Sequence, residues 1–461
     1  MRVDRSRLPQ VGPDPAFSFP TIVKHRLPNQ LQVWTVEHHS VPVVTLALQV
    51  DGGSGADPAG LEGLSALVAD MVDEGSGALT AIDIADALAR IGADYDVDVG
   101  GDATVFSLTT LTRFASRGAA LLADMVTRPS LRENDFSRVR QQRLNRLRQL
   151  KDVPSAVAER TLLRLLYAEH PYGHLSIGSD SGLRRASRDE VAAFHTRSFQ
   201  PAQTRLVVCG AMSHEELLGQ AESAFAGWSA SSAEASAPPA AADVEPREVP
   251  LVRLAVVERE AAAQSELRIG HLTTRRTTPD YPALLVMNAV LGGQFVSRIN
   301  LKLREEKGYT YGARTGFDWR RGISPFALQT SVHTAATSDA IAVSLAELEG
   351  IRGPRPPTDE EMMLAKASLT RGYPRGFETA QQVARSVALI ALYGLPDTYF
   401  DDFVPTVNAV TATDVVEAAS RHLHPSKLTT LIVGDRSAIA ESLLDLDLGD
   451  PQVLPLEDGA G

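Results

Sequence analysis

Two imidazoles one helical turn apart with a carboxylate beside them would make a zinc hydrolase, in either order, H-E-x-x-H or H-x-x-E-H. Every His-Glu and Glu-His pair of the chain fails that test. His214-Glu215 has Leu218 where the second His belongs, Glu37-His38 has Trp34 where the first belongs, and Glu169-His170 has Leu166. His170 and His174 are four apart, but Pro171, Tyr172 and Gly173 forbid the helix that would align them, so the segment reads as a structural turn. His422 and His424 read as solvated. The sequence carries no G-x-x-x-x-G-K-[ST], no G-x-G-x-x-G opening a helix and no G-x-S-x-G. Gly52-Gly53-Ser54-Gly55 reads as a flexible turn after a strand, and Gly292-Gly293 as the end of an apolar helix.

One further pair stays open. Val296 to Glu306 can form a short helix, Lys307-Gly308 stops it, and Tyr309 to Phe317 alternates as a strand, so Arg304 and Tyr311 straddle the turn. Spacing alone reads Tyr311 as a core aromatic, sharing a face with Tyr309, Ala313, Thr315 and Phe317, and Arg304 as a surface charge.

The elements that position these residues follow from periodicity. Leu31 to His38 and Val43 to Val50 read as strands, and Gly60 to Asp73 has helical apolar spacing. Thr80 and Asp83 form a capping-box pattern before Ile84, Leu88 and Ile91, with Gly92 at the C-terminal cap. Asp94 to Val99 and Thr104 to Leu111 flank Gly100-Gly101 as a hairpin, and helices follow near 113–127 and 133–150. The arginines of the last helix (Arg138, Arg140, Arg143, Arg146, Arg148) read as a solvated face. This is an α+β pattern, with helices on one face of a largely antiparallel sheet.

The unit recurs. A capped helix, a proline turn and an apolar strand run from Ser187 to Gly210 and again from Thr411 to Gly434, and Val191/Val415, Arg197/Arg421, Pro201/Pro425 and Gly210/Gly434 share one offset. A Ser-, Ala- and Pro-rich stretch separates the two copies. The expected organisation is two tandem homologous domains, 1–228 and 251–442, a linker over 229–250, and a mobile acidic tail over 443–461 that carries Asp445, Asp447, Asp450, Glu457 and Asp458.

The 461 residues suggest roughly two to four domains at about 150 residues each. A net charge of −12 argues against nucleic acid and an anionic membrane surface as partners. The single cysteine, Cys209, excludes a disulfide framework and a Cys-based zinc site. No apolar run is long enough to span a bilayer and the N-terminus lacks an apolar signal segment. A cytoplasmic location is expected, or a periplasmic one if the natural N-terminus is longer.

These residues resemble the insulinase/pitrilysin metallopeptidase family, in particular its half-length bacterial members and the mitochondrial processing peptidase subunits. The resemblance spans nearly the whole chain. It rests on Leu27-Pro28-Asn29-Gln30-Leu31-Gln32-Val33, Gly60-Leu61, His170-Pro171-Tyr172-Gly173, the strand ending at Gly210, and above all Leu291-Gly292-Gly293 through Leu303-Arg304-Glu305-Glu306-Lys307-Gly308-Tyr309-Thr310-Tyr311. Peptide-cutting members carry H-x-x-E-H three residues after the glycine that opens the helix, with a distal Glu as third zinc ligand. Here Gly63, Ala66 and Leu67 stand at the first three positions and Leu144-Asn145-Arg146 at the distal one, so nothing there can hold zinc or polarise water.

The resemblance reverses the reading of Arg304 and Tyr311, which match the family's arginine and tyrosine, seven apart, aimed at the scissile peptide. A guanidinium can hold substrate carbonyls and a phenol can donate to the oxyanion. It implies a subunit inactive alone, without a cofactor of its own, set across a clamshell chamber from a homologous H-x-x-E-H partner that carries the zinc. Peptide or unfolded polypeptide is the implied substrate. The rival expectation is a catalytically inactive scaffold or peptide-binding protein of the same fold, and a third is an autonomous hydrolase with another metal site.

Overall fold

The computed structural model describes residues 17–230, 241–246 and 251–456. In the first half the strands are β1 (Ile22–Arg26), β2 (Gln32–Glu37), β3 (Val43–Asp51), β4 (Gly75–Ser76), β5 (Leu79–Thr80), β6 (Asp94–Val99), β7 (Ala103–Leu111) and β8 (Thr204–Gly210). The second half holds β9 (Leu254–Glu258), β10 (Gln264–Leu272), β11 (Ala313–Phe317), β12 (Pro325–His333), β13 (Thr429–Gly434) and β14 (Gln452–Leu454). Apart from the small β4–β5 ribbon they build two six-stranded sheets, ordered β1-β2-β8-β3-β7-β6 and β11-β12-β10-β13-β9-β14.

Read from the β6 and β11 edges inward, the first five strands of the two orders match in chain order and direction, which is the duplication anticipated from Pro201/Pro425 and Gly210/Gly434; the sixth differs, since β1 precedes β2 and runs antiparallel to it whereas β14 comes last in the chain and runs parallel to β9. Each sheet is mixed and largely antiparallel: β8 runs parallel to β2 and antiparallel to β3, as β13 does to β9 and β10. The chain is thus two tandem homologous α+β domains, each sheet covered by helices. The capping box at Thr80, the hairpin around Gly100-Gly101 and the helices over 115–127 and 133–151 stand as expected.

The helices do not lie on one face only. Leu206 and Val208 of β8 face the first half's own helices, packing with Leu64, Leu67, Val68 and Leu122. Val207 and Cys209 face the other way, where the Ala380–Tyr393 helix of the second half lays Val383, Val387 and Ile390 over Trp34, Val36 and Ala47. The exchange is reciprocal: Ala158 and Leu162 of the Pro154–Tyr167 helix pack on Ala255, Val257, Leu431 and Val433 of the second sheet. Burial on both faces is why β8 and β13 read as continuous apolar runs.

Three expectations at the domain edges change. The Gly52–Gly55 turn is packed, since a Cβ on Gly53 would lie 1.8 Å from the Gly100 carbonyl oxygen. Of the expected linker, 231–240 and 247–250 lie outside the described residues, whereas Ala241 is buried against Tyr167 and Tyr172. The acidic tail is not all free chain, because Gln452–Leu454 pairs with β9; residues 457–461 lie outside the described ones. Among the described residues no helix is long and apolar enough to cross a membrane.

Candidate functional site

The helix that would carry a metal motif begins at Leu64, later than expected from Gly60, because Gly63 occupies its N-cap with φ +98°. Gly63 N and Ser65 N both donate to Asp57, at 2.6 Å each, and His174 Nε2 lies 3.0 Å from the same carboxylate. A side chain at residue 63 has no room, since its Cβ would fall 2.7 Å from Gly178 Cα. Ala66 and Leu67 are buried in the core. Asn145 is exposed, its Oδ1 accepting from Gln141 and Arg148. The residues at the four degenerate positions therefore do not fit a zinc ion. Among the described residues no group of three or more His, Cys, Asp or Glu side chains is arranged to hold a metal.

On the helix bearing Asn145, Arg138, Arg146 and Arg148 are exposed as expected, but the arginine face is not wholly solvated. Arg143 bonds Asp70 at 2.6 Å and the Ser176 carbonyl at 2.6 Å, and Arg138 pairs with Glu74, tying this helix to the segment it packs on. His170 and His174 line one cavity of about 760 Å³ without converging on it. His170 accepts from Tyr172 N and contacts the Val244 carbonyl at 2.8 Å, and burial lowers its pKa. His422 is buried, not solvated, with Nε2 2.6 Å from Asp280.

In the second half, Arg298–Asn300 is helical and Leu301–Glu306 continues as a π-turn, a form often found at functional sites. Gly308 reverses the chain at φ +65°, and Tyr309 N donates to the Leu303 carbonyl. The support is anchored at both ends. Arg298 makes a two-pronged bond to Glu361, while Asn300 brackets Ala313 by donating to its carbonyl at 2.7 Å and accepting from its N–H at 2.8 Å. Asp339 takes Lys307 Nζ and the Tyr309 hydroxyl, the latter bond raising the phenol pKa.

On this support the strand starts at Ala313 rather than Tyr309, which leaves Tyr311 94% exposed instead of in the core. Arg304 is 31% exposed at its side chain, pairs with Glu305 at 3.2 Å, and stacks its guanidinium 4.1 Å above the Phe295 ring centroid. Phe295 escaped sequence reasoning: it follows a glycine pair and belongs to no periodic stripe. Gly178 and Asp57 escaped it too, because their roles depend on a partner far along the chain.

Comparison with known proteins accords with this geometry. Residues 32–179 match the insulinase (peptidase family M16) model and residues 185–369 the peptidase M16 inactive domain. The chain is similar to an uncharacterized zinc protease of Mycobacterium leprae (strain TN), at 24% identity over 77% of this chain and 79% of that one. It is also similar to the non-peptidase homolog YmxG of Helicobacter pylori (strain ATCC 700392 / 26695), at 22% identity over 89% and 94%. The fold matches the crystal structure of a peptidase M16 inactive domain from Pseudomonas fluorescens with a TM-score of 0.82 at 24% identity, covering 90% of this chain and 98% of that one. A protease from Helicobacter pylori gives 0.83 at 18%, covering 90% and 100%. With both halves matched in order, the chain belongs to the insulinase (M16) peptidase family.

Proposed function

We propose that this chain is the zinc-less subunit of a heterodimeric metallopeptidase, supplying Arg304 and Tyr311 to a site whose metal motif lies on a homologous H-x-x-E-H partner. The observation that carries the reading is an asymmetry: the first half has closed over its degenerate metal positions at Gly63, while the second half holds Tyr311 almost fully exposed on an anchored turn. A residue kept for packing would be covered. The Arg304 guanidinium, paired through Nη1 with Glu305 and 31% exposed at its side chain, would hold a peptide carbonyl. Tyr311, with its hydroxyl in solvent reach, would donate to the oxyanion formed as the peptide carbon is attacked. The partner's zinc would activate the attacking water.

The test is peptide hydrolysis and zinc content of this chain alone and mixed with a zinc-motif relative from the same genome. Activity is expected only in the mixture, with one zinc per pair, and Arg304→Ala or Tyr311→Phe should lower it ~10²-fold or more. A mixed dimer indifferent to both substitutions would refute the composite site. A metal-free chain that forms no mixed dimer would favour the scaffold reading, to which the name of the Helicobacter pylori relative, non-peptidase homolog, lends support.

A further inference from the structure

An arginine that must meet a peptide carbonyl in a fixed orientation has to be held, because its free side chain samples many rotamers. The backbone of Arg304 is held by the π-turn, with its carbonyl accepting from Gly308 N. Its side chain has weaker restraints. Glu305, the adjacent residue, is half exposed, and its carboxylate pairs with Nη1 at 3.2 Å without hydrogen-bond geometry. What remains is the ring of Phe295, which lies under the guanidinium at 4.1 Å from centroid to Cζ.

Phe295 is itself anomalous. It is 63% exposed, too open to count as a core residue, yet the residue before it, Gln294, is tied through its carbonyl to Asn300 Nδ2. An exposed aromatic earns little by burial, so its contact with Arg304 is the main interaction that distinguishes it from a polar residue at this position.

From this we propose that Phe295 is the positioning residue for Arg304: its ring is the platform that orients the guanidinium toward the peptide. The inference rests on the composite-site reading for its consequence in catalysis, but the platform itself is a property of this chain. A flat π face is required. Tyrosine or tryptophan at 295 should serve, whereas leucine, apolar and of comparable bulk, should not.

Two measurements test it. In the chain alone, selectively labelled with ¹⁵N-arginine, the Arg304 Nε–H resonance, assigned with Arg304→Lys, should carry a ring-current shift that Phe295→Leu abolishes and Phe295→Tyr keeps. In the active pair, Phe295→Leu should lower kcat/KM about 3- to 30-fold, the range expected for losing a cation–π contact. Phe295→Tyr should restore it, and in an Arg304→Ala background Phe295→Leu should have no further effect. An unshifted Arg304 resonance in the unsubstituted chain would overturn the platform, whatever the state of the pair. A loss that persists undiminished in the Arg304→Ala background would overturn it too, showing that Phe295 meets the peptide directly. Inactivity of the unsubstituted pair would count against the composite site and leave the resonance test standing.

Discussion

Gly63 and Gly178 touch backbone to backbone: a Cβ built on Gly63 would stand 2.7 Å from Gly178 Cα, and one built on Gly178 would stand 2.3 Å from the Glu62 carbonyl oxygen. Gly63 also adopts φ +98°, where side chains are strained. Restoring the family motif should therefore fail. The quadruple variant Gly63→His, Ala66→Glu, Leu67→His, Asn145→Glu is expected to bind no stoichiometric zinc by elemental analysis. Gly63→Ala alone should cost at least about 2 kcal/mol in urea unfolding, combining a left-handed backbone penalty with overpacking. Full zinc occupancy in the quadruple variant would show that the closure is soft.

The same corner depends on Asp57, whose side chain is fully buried and accepts from Gly63 N and Ser65 N. Asp57→Ala should destabilise the protein by about 2 kcal/mol, at the upper end for loss of an N-terminal cap. Hydrogen exchange of the Gly63 and Ser65 amides should rise with it; unchanged protection would assign the capping to another group.

Asp73 follows that helix, and burial, reinforced by Glu74 and Asp70, raises its carboxyl to about 6. A folded value above the unfolded one means that ionisation opposes folding. The contribution is fully present below about pH 4 and is lost as pH rises through 6. Asp73→Asn should then raise the thermal midpoint at pH 8 and leave it nearly unchanged at pH 4. An equal effect at both values would trace the change to something other than charge.

The exchanged helices predict that neither half stands alone. A fragment of residues 1–228 lacks Val383, Val387 and Ile390, so Trp34, Val36, Ala47, Val207 and Cys209 would face water. Such an apolar sheet face should bind a hydrophobic dye and aggregate. In the full chain Ile390→Ala should cost about 2–5 kcal/mol, as for other buried large-to-small changes. A monomeric, dye-negative fragment would contradict this account.

Much of the architecture was legible in the residues. Capping pairs such as Thr80/Asp83, the hairpin at Gly100-Gly101 and the repeated proline and glycine positions depend on neighbours a few places away, and local chemistry dictated them. That Gly63, Ala66 and Leu67 carry no zinc-ligating side chain is likewise fixed by residue type alone. Tertiary structure decided the rest. Which helix covers which sheet, the burial of His422 on Asp280, the pairing of 452–454 with β9, the contact of Gly63 with Gly178 and the exposure of Tyr311 all depend on segments far apart in the chain. Periodicity records that a face is buried but not by what. Tyr311 shows the limit most clearly: its alternation with Ala313 and Thr315 is that of a core strand, yet Asn300 pins the chain so that pairing begins two residues later and the ring is left in solvent.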